Sequence, residues 1–429
     1  MGKGTFKSNK IDIPPYYTLH LETSEFIRQH INDDIRTLAL MGKHFPKVDL
    51  PYALDQIRGY QLARTKLPTW TSTEGIVYPP HLNMEQCSSE QTALYKQNIV
   101  RRLLQKLQTK NNATLIDLTG GFGVDFSYMS IPFNKAVYVE RNKQLYNIAT
   151  HNFECLKLHN ISAENKDSID VLHKLNNASI IFLDPARRNS NGKKVISIAD
   201  CEPNVLELCD ELVEKCDFTI IKLSPMLDWH NAVEQLKYVI EVHIISVKNE
   251  CKELLMVLAN DKKEKQELKE NSIKIFCVNN NDIFYYEEEV NSSKENTLQL
   301  SKINKNALST LYLYEPNASI MKAGCFALLS KTYNVAALSN NSHLFVSPVL
   351  LSNFPGRRFR IMDICTLNKK EIRHTLTNIT RANIAVRNFP IGVDALRKRL
   401  KLHDGGDNYI FATTYGEKEH ILIISKKEV

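Results

Sequence analysis

The sequence predicts an α/β fold: a mostly parallel sheet with one antiparallel strand, preceded by an N-terminal helical region and followed by C-terminal α+β modules. Three observations carry this. Residues 115–118 (Leu-Ile-Asp-Leu) suit a short buried strand, and the chain then breaks into Gly120, Gly121 and Gly123 before a helix-like segment. Strand, glycine turn, helix is the opening of a nucleotide-binding βαβ unit, here called Rossmann-like. From this point strand and helix patterns alternate and end in a hairpin, which describes a mainly parallel sheet. The charge then shifts: residues 331–429 hold 16 Lys/Arg against 8 Asp/Glu, a balance of +8, whereas the whole chain carries +7 and the rest therefore −1.

Length and composition bound the reading. A chain of 429 residues should hold about two to four domains. A hydrophobic fraction of 43% and a charged fraction of 24% are those of a globular protein. No apolar run approaches the roughly 18 residues of a membrane span, so no membrane partner is expected. The N-terminus MGKGTFKSNK has no apolar stretch behind its lysines, and Phe6 occupies the place of the myristoylation Ser/Thr. Nine cysteines without a C-x-x-C pair argue for a reducing, cytoplasmic setting and against a structural metal. Cys201, Cys209 and Cys216 read most simply as buried helix residues.

In chain order, 1–85 reads as helical, with helices over 25–41 and 54–66. A loop-like stretch follows over 67–80, where Trp70 should pack a junction rather than stack on a base. Ser88 or Ser89 can cap a helix running to about 107, and either could instead lie near a ligand. Within the Rossmann-like domain, 86–260, strands are expected at 135–140, 161–165, 180–183 and 218–223. Helices are expected at 142–158, 203–215 and 228–239, and a hairpin at 242–247 and 254–258. Residues 261–270 form a charged boundary. A small module, 261–330, should contain strands at 273–278 and 283–286 and a helix at 318–329. The last, basic domain, 331–429, should have strands near 359–365, 382–389, 408–414 and 420–425, with helices near 368–379 and 393–401.

The ligand of the glycine turn is decided by charge. A third glycine of the dinucleotide pattern would fall at Phe126, and no phosphate-loop G-K-[ST] is present. A pyrophosphate seeks bare amides and a helix N-terminus. Here two carboxylates, Asp117 and Asp125, flank the turn. A carboxylate ~5 Å from a phosphate charge costs roughly 3 kcal/mol at an effective dielectric of about 20. The same carboxylates attract a ligand bearing an ammonium and a sulfonium, as S-adenosylmethionine does. The plain alternative is a glycine-rich turn with no ligand.

In a doubly wound sheet ligands sit at the carboxyl ends of the strands. Glu140 ends the second strand about twenty residues after the turn, where a carboxylate can accept both ribose hydroxyls. Asp167, with Ser168 and Ile169 beside it, is placed for the adenine. The expected cofactor set is Asp117, Thr119, Gly120, Gly121, Gly123, Asp125, Glu140, Arg141, Asp167, Ser168, Ile169 and Asp184. Asp184 opens the turn Asp184-Pro185-Ala186-Arg187-Arg188, the expected acceptor site, with Asp184, Pro185 and Arg187 as catalytic candidates. Methyl transfer is mostly a positioning problem. Asp184 could hold an amino or imino group or accept its proton, and Arg187 and Arg188 could hold phosphate or pair structurally with carboxylates. Lys222 and Ser224 end the fifth strand beside the same cleft.

Several motifs together resemble the bacterial class I S-adenosylmethionine-dependent methyltransferases that carry a THUMP-like C-terminal domain. They are L-P-T-W at 67–70, E-Q-C-S-S-E at 85–90, D-L-T-G-G-F-G-V-D at 117–125 and D-P-A-R-R at 184–188. Toward the C-terminus they are N-S-H-L-F at 341–345, F-P-G-R at 354–357, A-N-I-A-V-R-N-F-P at 382–390 and G-G-D-N-Y-I-F-A-T at 405–413. The resemblance implies a class I methyltransferase domain, a ferredoxin-like module before the terminal domain, and an RNA substrate. The D-P-x-R turn is also similar to that of uracil-C5 RNA methyltransferases, but no cysteine follows a strand end in a matching motif, which argues against methylation at carbon.

The leading expectation is methyl transfer from S-adenosylmethionine to nucleic acid, RNA above all. The basic domain would grip phosphate through Arg357, Arg358, Arg387, Arg397 and Arg399; a merely lysine- and arginine-rich surface is the alternative. Two other readings stay open: an RNA-binding protein whose methyltransferase domain no longer turns over, and a small-molecule or protein methyltransferase.

Overall fold

A computed structural model describes residues 21–107, 112–187, 197–259, 272–289 and 304–428. The chain divides into two compact units, Met1–Asp184 with Glu214–Thr219, and Pro185–Val213 with Ile220–Val429.

The first unit begins with helices Leu21–His30, Ile35–Leu40 and Leu50–Lys66, packed on Phe26, Leu38, Ala53 and Ile57. The single helix expected over 25–41 is two, because Asp34 caps a new start: its carboxylate accepts from the Thr37 N–H at 2.9 Å. Two amides tie this region down. Gln56 exchanges hydrogen bonds with the Tyr78 backbone, each 2.8 Å, and Asn152 does the same with Val77. Trp70 lies in a short helix, Pro68–Thr71, and is 1% exposed, its ring 4.9 Å from that of Phe122. The tryptophan is therefore a packing residue. Ser89 caps helix Glu90–Lys106 as expected.

The sheet of this unit comprises β1 (Thr114–Asp117), β2 (Lys135–Val139), β3 (Ile161–Glu164) and β4 (Ala178–Leu183), in the order β4-β1-β2-β3 and parallel throughout. β4 is buried along its whole length, as its continuous apolar sequence requires. Helices Lys143–Cys155 and Ser168–Lys174 follow β2 and β3. The parallel order puts the ends of β1, β2 and β4 side by side.

The second unit opens with the short antiparallel pair β5 (Ala186–Arg187) and β6 (Cys201–Glu202), then helix Val205–Lys215. Of the three cysteines expected on a helix only Cys209 is; Cys201 is in β6 and Cys216 opens β7 (Cys216–Leu223), though all three are buried. β8 (Val239–Val247) and β9 (Glu250–Ala259) form the expected antiparallel hairpin. β10 (Ser272–Asn279) runs parallel to β8, and β11 (Asp282–Glu289) pairs antiparallel with β10. This hairpin, read from the sequence as the start of a small module, extends the β8–β9 sheet instead. Periodicity identifies a strand but not its partner, and Ile275 and Cys277 are buried beside β8.

A separate seven-stranded sheet follows: β12 (Tyr312–Pro316), β13 (Ala336–Ala337), β14 (Phe345–Ser347), β15 (Gly356–Cys365), β16 (Asn383–Arg387), β17 (Asn408–Tyr415) and β18 (Glu419–Glu428), in the order β13-β14-β12-β15-β18-β17-β16. Only β16–β17 is parallel. One face packs on Leu313, Phe359, Phe411 and Ile423, the other on Leu396, Ile410, Leu422 and Ile424. Gly324, at φ +73°, splits the helix expected over 318–329 into Ala318–Ala323 and Phe326–Tyr333. Among the described residues no helix is long and apolar enough to cross a membrane. The N-terminal 20 residues, Arg188 and the charged run 261–270 lie outside the described residues.

Candidate functional site

At the end of β1 the chain stops pairing and turns. The Leu118 N–H still donates to Phe182 at 3.0 Å, but Thr119 already donates back to the Asp117 carboxylate at 3.0 Å. The Thr119 hydroxyl oxygen accepts from the Asp184 N–H at 2.6 Å, which ties the ends of β1 and β4 together. The Gly120 N–H reaches Val139 at 2.8 Å, with its α-carbon so close to the Tyr138 ring that a Cβ would lie 2.1 Å from it. The Gly121 N–H donates to one oxygen of Glu140 at 2.8 Å, and the Asn142 N–H donates to the other at 2.6 Å. Gly123 has φ +86°, and a Cβ there would come 2.6 Å from Phe153. Gly120 and Gly123 are thus each required by a neighbouring ring, and Gly121 by its left-handed backbone at φ +56°.

Asp125, Asp184 and Glu140 all stand close enough to Asp117 to repel its carboxylate. Asp117 is 1% exposed, and its carboxyl is pushed well above the ordinary range, first by burial and then by Asp125, Asp184 and Glu140. The Thr119 N–H pulls only partly the other way. Asp125 is answered from inside the domain: its carboxylate lies 3.1 Å from the Nζ of Lys96, which is wholly buried, and accepts from Ser88 at 2.7 Å. Of the two acids flanking the turn, Asp125 is thus paired inside the domain, and Asp117 is the one whose charge a bound cation would stabilise. Asp167 caps helix Ser168–Lys174 by accepting from the Ile169 N–H at 2.9 Å, and Ile169 beside it is exposed. Arg141 is exposed after β2.

These residues fit S-adenosylmethionine. Each carboxylate oxygen of Glu140 accepts one backbone N–H and keeps a lone pair for a ribose hydroxyl. Gly121, at φ +56°, has nothing within 3.8 Å of where a side chain would start. A cation beside Asp117 offsets the burial and the repulsion that raise its pKa. Ile169 offers an apolar surface for a base. Among the described residues no group of His, Cys, Asp and Glu could hold a metal ion.

Known proteins share this fold. A crystal structure of a protein from Porphyromonas gingivalis W83, named as a methyltransferase, superposes on 95% of this chain and 98% of its own, with a TM-score of 0.80 and 26% identity. The chain has the fold of the class I S-adenosylmethionine-dependent methyltransferases. Uncharacterized S-adenosylmethionine-dependent methyltransferases from two strains of Mycobacterium tuberculosis are 23% identical to this methyltransferase over 271 residues, covering 60% of it and 67% of each relative. Family models match its C-terminal part: a ferredoxin-like domain over 312–355 and a THUMP domain-like segment over 356–427.

The remaining candidates of the methyltransferase are placed as follows. Pro185 is buried and Arg187 lies in β5 opposite Cys201. Lys222 sits 3.9 Å from the buried Glu253. Arg357 and Arg387 both hold Glu315; Arg397 holds Asp404 at 2.7 Å; Arg358 and Arg399 donate to the Ser352 and Leu367 carbonyls. Three of these five arginines thus already have a carboxylate. Sequence reasoning missed Lys96. Its signal was position: Ala93, Lys96, Val100 and Leu103 recur on the buried face of one helix.

Proposed function

We propose that this methyltransferase moves the methyl group of S-adenosylmethionine to RNA, with residues 86–260 holding the cofactor and the basic domain, 331–429, holding the nucleic acid. The observation that carries the cofactor half is the acid-walled turn, where Asp117 and Glu140 stand at adjacent strand ends around an open Gly121. The RNA half draws support from the THUMP domain-like match over 356–427 and the +8 balance of residues 331–429.

Bound, the cofactor supplies a methyl group made electrophilic by a sulfonium. This chain's work is to orient and to move a proton. Glu140 accepts the ribose hydroxyls, and Asp117 faces the cationic end. Asp184, fixed by its N–H to Thr119, holds the acceptor's amino or imino group and takes the proton that the acceptor releases. Pro185 stiffens the step that follows, and Arg187 is assigned to substrate phosphate. Nine cysteines, all free thiols, suit a cytoplasmic setting.

Single-turnover transfer of labelled methyl from S-adenosylmethionine to bulk cellular RNA tests the reading. Labelled RNA with wild type, and at least about a hundredfold less with Asp184→Asn, is expected of a lost acid–base contact. Cofactor affinity without labelled RNA would instead mark a binding protein whose domain does not turn over. RNA affinity indifferent to salt would mark a small-molecule or protein enzyme.

A further inference from the structure

The seven-stranded sheet buries a carboxylate between two arginines. Glu315, near the end of β12, is 1% exposed. The Arg357 Nε donates to one of its oxygens at 2.6 Å and the Arg387 Nη2 donates to the other at 2.9 Å. Two guanidiniums against one carboxylate leave one positive charge over, and the arginine side chains remain 37% and 36% exposed. Arg357 is held in place as well, with its guanidinium 5.6 Å from the Phe359 ring and 5.9 Å from that of Tyr409.

Three polar atoms gather here unmatched. The Arg387 Nε is buried without a partner. So is the hydroxyl of Thr413, a residue 0% exposed that lies opposite Arg387 in the parallel β16–β17 pair. So is Nδ1 of His343, whose ring stacks on Phe326 at 4.1 Å and lies near enough to Arg387 to feel its charge. Burial and then Arg387 hold that imidazole below its ordinary range, so it is neutral at pH 7. A buried polar group left unmatched costs about 1–3 kcal/mol, and such gaps call for an explanation.

We propose that Arg357, Arg387, His343 and Thr413 form a seat for one phosphodiester group of the RNA substrate, with Glu315 as the internal counter-ion that fixes the two guanidiniums. The proposal rests on the RNA reading above and deepens it. The surplus charge of one matches the single charge of a phosphodiester. The unmatched groups can all donate, and arginine forks suit phosphate oxygens. A metal cation would meet two guanidiniums and is excluded by sign. Because both arginines are already held by Glu315, and Arg357 also by two aromatic rings, little side-chain freedom is lost when the anion arrives.

The test is fluorescence anisotropy of a short labelled single-stranded RNA with the full-length chain across a range of salt. Thr413→Val should bind roughly tenfold more weakly, the loss expected for one hydrogen bond to a charged group, and Thr413→Ser should restore affinity. Arg387→Gln should bind more weakly and flatten the slope of log affinity against log salt by about 0.7. Wild-type affinity and slope in both Thr413→Val and Arg387→Gln, with wild type itself salt-sensitive, would overturn the seat and leave the RNA reading standing. Inorganic phosphate displacing RNA equally from wild type and Thr413→Val would overturn it too. A wild type whose RNA affinity ignores salt would remove the RNA reading and the seat with it.

Discussion

Asp117 pulls stability and binding in opposite directions. Its folded-state pKa is raised above the ordinary 3.8, so the folded protein holds this proton more tightly than the unfolded chain does. Stability from the group is therefore fully present at low pH and is lost as pH rises from about 3.8 through the raised value. Asp117→Asn keeps an acceptor for the Thr119 N–H and removes the charge. It should raise the melting temperature of the cofactor-free protein at pH 7, by about 2–4 °C for each 1 kcal/mol relieved, and weaken S-adenosylmethionine binding. The melting difference should vanish below pH 4. A lower melting temperature in Asp117→Asn at pH 7 would show that the carboxylate is stabilised as it stands. At this scale Asp117, Glu140 and Asp184 were legible because each ends an apolar run. The answer to Asp125 was not: Lys96 sits 29 positions upstream, and only packing of helix Glu90–Lys106 on the turn brings the two together.

That packing makes helix Glu90–Lys106 the support of the glycine turn. Lys96→Met would take the ammonium away from the buried Asp125 carboxylate, which also accepts from Ser88 and lies close to Asp117. Breaking a buried pair in this way costs about 3–5 kcal/mol, and adding Asp125→Asn should return part of it. Urea midpoints of the single and double variants check this; independent, additive losses would show that the pair is not coupled. Strands that read as apolar runs beside turn or helix signals were legible, among them β1, β2, β4, β8, β9, β17 and β18. The strands that escaped were β5, β6, β12, β13 and β14, of two, two, five, two and three residues. Such strands show no period, and their place is set by tertiary pairing. The split of residues 25–41 at Asp34 was a capping signal outweighed by the apolar spacing around it.

Across the molecule, the two matched C-terminal segments are not separable pieces. β12, β13 and β14 come from the segment 312–355 and β15 to β18 from 356–427, yet β12 pairs with β15 in one sheet. Glu315 of the first segment is held by Arg357 and Arg387 of the second. A chain ended after residue 355 exposes the edge of β12 and leaves Glu315 buried without a cation. It should lose cooperative melting of this region and aggregate; a monomeric, cooperatively melting truncation would show that the first segment folds alone. The basic quarter was legible as charge, but the internal use of three of its arginines was not, since charge counts do not show pairing.

The account stands or falls on the acidic turn as the seat of a cationic cofactor. Calorimetry of S-adenosylmethionine at pH 7 on wild type, Asp117→Ala and Glu140→Ala tests it most directly. The prediction is saturable binding to wild type and at least about tenfold weaker binding, 1.4 kcal/mol, in each variant. Equal affinity across all three proteins would contradict it.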